Sequence, residues 1–275
     1  MILLYQLYRL IMATGIAIYG VDRISVLGVF DEAFRFFNEL GYPITGAGYD
    51  RRGQADGVDD IEFVEVSPKE LKVLISEGKV VDFRVFSEMK NVKPWFSSFG
   101  YTTEEFGSFF CIDMQTDVGL EELNIKIKSF LISASVKLKY IYAIVYELAS
   151  VSGAMSYARG QNFKTIYQYE DPVAFIDDAS PLYLGGRQYK HARLRMVYPI
   201  NFLNDQHLSI KIGSTSLLEW ISESASHGVI TKVLNGWCWE VGREYIDSAN
   251  EICGKAGTLL AWKPKKAETK KKLPG

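Results

Sequence analysis

The chain has 275 residues, of which 48% are hydrophobic and 23% charged, a globular balance that excludes wholesale disorder. The formal net charge is -2, but residues 263–275 hold six lysines against one glutamate, a net of +5, which leaves -7 on residues 1–262. A mildly acidic body argues against broad binding to a phosphate backbone, and three histidines with three scattered cysteines give no pattern for a zinc site, a hydrolase triad or a Cys-X-X-Cys centre.

Residues 1–11 read as an apolar extension, interrupted by Arg9 and too short to span a bilayer. Residues 14–20 predict a buried strand. Val26–Leu40 predicts a helix with Leu27, Phe30, Phe34, Phe37 and Leu40 on one face, stopped by Gly41 and Pro43. The glycine- and charge-rich stretch 45–60 predicts a loop, and 61–66 alternates as a strand. Ser67-Pro-Lys-Glu70 is a capping box with proline at the first helical position, and Gly78 ends that helix. Strands are expected at 79–86 and 108–114, with a long loop over 87–107 between them. A helix over Leu120–Leu138 and a strand over 140–148 follow.

The second half is less regular. A short helix is expected over 171–178 and a strand over 191–198. Ser214 is expected to cap a helix over 215–222. The runs 229–234 and 237–241 flank Asn235-Gly236, the signature of a tight hairpin. A helix over 243–254 and a strand over 258–262 complete the body, and 263–275 reads as a solvated, disordered lysine-rich tail. The expected fold is α+β: two packed halves, 12–148 and 149–262, of mainly antiparallel sheet with helices on one face.

Three constellations are candidates for function. The glycine loop Gly46-Ala-Gly-Tyr-Asp-Arg-Arg-Gly lacks the strand-to-helix context of a phosphate cradle, so Arg51 and Arg52 are expected to serve a partner instead. Strand alternation puts Asp82, Arg84, Cys111 and Asp113 on one sheet surface. There two carboxylates have the chemistry to hold Mg²⁺, or Arg84 can simply pair with an aspartate. The third set is aromatic and polar: Trp95 and Phe96 in the long loop, Tyr157 and Arg159 further on, each suited to a contact anchor. Trp237 and Trp239 share a strand face and are expected to join Trp220 and Trp262 in the core.

Cys111 and Cys238 sit in apolar runs and read as packing residues in a reducing compartment. In composition and α+β character alone, the chain looks like the cytoplasmic immunity proteins that bacteria make against secreted toxins. The expected function is non-catalytic protein binding in the cytoplasm, as an inhibitor, immunity or adaptor protein, without cofactor or metal. The expected partner is another protein, a basic one being favoured by the acidic body; membrane and nucleic acid are not expected partners. Two alternatives stand beside this: a metal-dependent enzyme acting on nucleotides or phosphodiesters through Asp82, Asp113 and Arg84, and a structural subunit of a larger assembly.

Overall fold

Runs of small, β-branched and aromatic residues, buried on both sides, build the centre of the fold. In the computed structural model, which describes residues 12–55, 58–88, 95–106, 109–183 and 185–263, β1 (Ala13–Tyr19) is buried along its whole length. It lies between β6 (Cys111–Thr116) and β7 (Tyr142–Leu148), antiparallel to both. The remaining strands are β2 (Gly46–Ala55), β3 (Val58–Val66), β4 (Phe83–Ser87), β5 (Ser97–Thr102), β8 (Ile200–Leu203), β11 (Val229–Val233) and β12 (Gly236–Glu240). Together they form a ten-stranded sheet ordered β11-β12-β8-β7-β1-β6-β5-β4-β2-β3, while β9 (Lys211–Ile212) and β10 (Thr215–Ser216) make a separate two-stranded ribbon.

The helices divide between the two faces. On one face α1 (Val26–Leu40), α2 (Pro68–Ser76) and α3 (Leu120–Leu138) bury Phe30, Phe37, Leu71 and Phe130 against Ile16, Ile18, Val85 and Met114. On the other, α4 (Val151–Ala158), α5 (Ala174–Ala179), α6 (Leu217–Glu223) and α7 (Ile246–Lys255) bury Tyr157, Phe175, Trp220 and Cys253 against Tyr19, Tyr146 and Trp239. The α+β class and antiparallel sheet thus match the sequence reading. Each half carries its helices on one face, and the two halves use opposite faces. The sheet itself continues past residue 148, because β8 pairs with β7 through Ala143 and Phe202.

Several local expectations are corrected. Within the stretch expected as a loop over 45–60, residues 46–55 and 58–60 are strand: β2 pairs with β3 along its length and, at its base, with β4. The expected loop 87–107 contains β5, which carries Gly100 between its neighbours β4 and β6. The strand expected at 191–198 is irregular chain, tied by backbone bonds of Leu194 and Arg195 to residues 258–261 and by side-chain bonds on either side. Arg195 N donates to Tyr142 Oη (3.2 Å) and Val197 N to Asn250 Oδ1 (2.8 Å). Residues 258–262 contribute only isolated bridges, Leu194–Leu259 and Glu170–Trp262. Ser216, not Ser214, caps α6, in a complete capping box with Glu219. The expected extension 1–11 and the tail beyond Lys263 lie outside the described residues.

Candidate binding cleft

The alternation argument locates one real pairing. Arg84, Gly100 and Asp113 are aligned across β4, β5 and β6. Arg84 Nη2 donates to both Asp113 oxygens, at 2.9 and 2.7 Å, and Nη1 donates to Ser98 Oγ at 2.9 Å. Gln115 Nε2 adds a third hydrogen bond to the carboxylate, at Oδ2, at 2.7 Å. Both aspartate oxygens are therefore engaged, and both charges are buried.

Asp82 engages a different partner. Its Oδ1 accepts from the backbone N and side-chain Oγ1 of Thr103, at 3.0 and 2.5 Å. Burial pushes its carboxyl up to about 6, opposed by the Thr103 hydrogen bonds. Asp82 and Asp113 thus serve separate networks. Among the described residues no group of three or more His, Cys, Asp or Glu stands ready to hold a metal ion.

The expected aromatic anchors are fastened to the body. Trp95 stacks on Phe86 (centroids 4.8 Å apart, 20° between planes), with the Arg84 guanidinium 5.4 Å above its ring. Phe96 meets the edge of Tyr42 at 4.6 Å. Tyr157 is fully buried; its hydroxyl lies 2.5 Å from Glu170 Oε1 and 2.5 Å from Tyr198 Oη. Beside it Arg195, also buried, donates to Tyr19 Oη at 2.9 Å and packs 3.8 Å from the Tyr157 ring centroid. Burial raises the hydroxyl pKa of Tyr19, Tyr157 and Tyr198. This network ties α4 and the irregular segment to the sheet.

Arg159 is the member of that set which faces open space. It follows α4 directly and lines a cleft of about 550 Å³ between the β2–β3 hairpin and the region of α5. Asp50 and Ile61 come from the hairpin, Phe106 and Phe109 from the chain leading into β6, and Phe163, Ile176, Asp177 and Tyr183 from the second half. A smaller recess of about 90 Å³ adjoins it, lined by Arg84, Trp95, Asp50 and Arg159. Arg159 and Asp50 therefore belong to both. Nearby, Arg52 donates to Glu105 O at 2.7 Å with its guanidinium 6.0 Å from the ring of Phe106, a cleft residue. Arg51 projects from the opposite face of the hairpin, paired with Glu62 at 2.8 Å.

The cleft is rimmed by apolar side chains that a folded protein ordinarily covers. Phe163 is 74% exposed, Tyr183 61% and Ile61 53%. Asn162 and Phe163 both adopt positive φ, 57° and 48°, a costly backbone state for a phenylalanine, and one that holds its ring at the rim. Sequence reading found Arg159, Arg52 and Trp95 of this region. It missed Asp50, Ile61, Phe106, Phe163 and Tyr183, which approach only through long-range folding. The unusual exposure of Phe163 leaves no periodic signal.

Elsewhere, Trp239 and Trp220 meet edge-to-face at 6.3 Å inside the core, whereas Trp237 sits nearer the surface and donates to Asp205 Oδ1 at 2.7 Å. His207 is buried and neutral, its Nε2 bonded to Tyr189 O at 2.8 Å; burial lowers its pKa to about 4. No described helix is long and apolar enough to cross a membrane.

No family model and no curated protein matches the chain. Among solved structures it is similar to a Pseudomonas aeruginosa T6SS protein, PA0821, with a TM-score of 0.52 and 11% sequence identity, covering 94% of this chain and 76% of that one. At that identity the likeness is one of fold.

Proposed function

We propose that this chain is a non-catalytic protein-binding module of the inhibitor, immunity or adaptor kind, acting in the cytoplasm, which seats a protein partner in the cleft between the β2–β3 hairpin and α5. The observation that carries this reading is the exposed apolar rim of Phe163, Tyr183 and Ile61 around a cavity with charged groups inside it. An apolar ring enclosing a few polar groups is the usual anatomy of an interface, where aromatic anchors supply most of the affinity. Three buried, free thiols support a reducing compartment. The acid excess of residues 1–262 favours a basic partner, drawn in by long-range attraction.

Affinity capture with the full chain tests this. Phe163→Asp combined with Tyr183→Asp is expected to abolish recovery of the partner, while Ile125→Asp, at an exposed site on α3, leaves it intact. Equal recovery with both variants overturns the reading.

A further inference from the structure

We propose that Arg159 is the receptor for a carboxylate of the partner, an Asp or Glu side chain inserted into the cleft; the assignment rests on the cleft reading above. The other arginines of the interior are committed. Arg84 is locked on Asp113 and Ser98, and Arg195 donates to Tyr19 and pairs with Glu170 at 3.9 Å, although its Nε, too, makes no hydrogen bond. Arg159 has no such direct bond: among the described residues its side chain makes no hydrogen bond or close ion pair, its charge acts on the buried Asp82 at longer range, and its Nε is sealed from solvent without a hydrogen-bond partner. A buried donor left unpaired is costly, and an incoming acceptor removes that cost.

Position and geometry favour this ligand. Arg159 lies two residues after Tyr157, whose ring and hydroxyl are fixed in the core, so the stem starts from a rigid point. Arg159 lines both the large cleft and the adjoining recess. A planar fork of donors matches a carboxylate in a two-pronged pair. Asp50 and Asp177 in the same cleft repel a doubly charged phosphate more than a single carboxylate. A basic residue beside the partner's acid meets these two aspartates, so a locally acidic contact is compatible with a basic partner.

Selection of a random short-peptide phage library on the immobilised full chain tests the assignment. Wild-type protein is expected to enrich peptides with an Asp or Glu at a fixed position. Arg159→Gln, with melting followed by circular dichroism to confirm folding, is expected to bind the selected peptide about thirtyfold more weakly. Arg159→Lys, which keeps the charge and loses the fork, serves as the second variant and is expected to fall between the two. Enriched peptides that lack an acidic residue, or that bind Arg159→Gln as tightly as wild type, overturn the assignment. If those same peptides still lose binding with Phe163→Asp, the cleft reading survives without it. Absence of any enrichment overturns both.

Discussion

Arg84 reaches Asp113 directly over Gly100, and the absence of a side chain on β5 is what lets them meet. A Cβ at Gly100 would stand 2.2 Å from Arg84 Nη2 and 2.9 Å from Asp113 Oδ1. Three neighbouring strands thus share one structural requirement: a cation, a gap and an anion in line. A buried pair of this kind is a poor source of net stability but expensive to break.

Gly100→Ala is accordingly expected to destabilise the fold by about 1–3 kcal/mol through overpacking, plus whatever part of the ion pair it breaks. Asp113→Ala, which leaves Arg84 charged and buried without its counter-ion, is expected to cost about 3–5 kcal/mol. Urea unfolding of each variant checks both, and a loss below 1 kcal/mol for Asp113→Ala contradicts the account.

Asp82 supplies a pH test with a definite sign. Burial raises its carboxyl from the ordinary 3.8 to about 6 in the folded state. Between those values the native state holds the proton that the unfolded chain has released, so stability falls as pH rises through the window and the penalty is complete above pH 6. Its size is on the order of 2–3 kcal/mol. Asp82→Asn keeps an acceptor for Thr103 and removes the charge, so the variant is expected to be more stable than wild type at pH 7 and to lose the advantage near pH 4. A constant difference from pH 4 to pH 7 contradicts this origin.

His207 acts in the opposite direction. Its folded pKa of about 4 lies below the ordinary 6.5, so its contribution is fully present above pH 6.5 and is lost as pH falls toward 4. The ring, accepting from Asn204 N at 3.2 Å and bonded to Tyr189 O, is built for the neutral form. The His207 ring signals in an NMR pH titration are expected to stay fixed from pH 8 to pH 5.5; a midpoint near 6.5 would falsify the buried neutral assignment.

Phe163 separates binding from folding. Its φ of 48° is the left-handed region that asparagine tolerates far better than phenylalanine. Phe163→Asn is expected to leave the melting temperature unchanged or slightly raised, while weakening partner binding by about 2 kcal/mol or more. A large drop in melting temperature shows instead that the exposed ring is part of the core.

Much of the fold could be read from residue order, where a pattern had one cause. The apolar spacing of Val26–Leu40 and the Ser67 cap place α1 and α2, and Asn235-Gly236 places the last hairpin. Reading failed where tertiary contacts override local chemistry. β2 looks like a loop because its glycines serve close packing: a Cβ at Gly46 would meet the Phe86 ring at 2.3 Å, and one at Gly48 the Phe63 ring at 2.5 Å. β5 was hidden for the same reason at Gly100. Residues 194–198 look like a strand because they are buried, yet their backbone is divided between short bridges to residues 258–261 and the side chains of Asn250 and Tyr142. Alternation paired Arg84 with Asp113, but nothing local sets Arg159 beside Asp50 and Phe163.

Site-specific photocrosslinking tests the cleft most directly. A photoreactive phenylalanine analogue placed at position 163, and separately at position 125 on the far helix α3, should give a partner adduct from position 163 alone. An adduct that forms at position 125 and not at 163 would place recognition on the opposite face of the sheet and contradict the account.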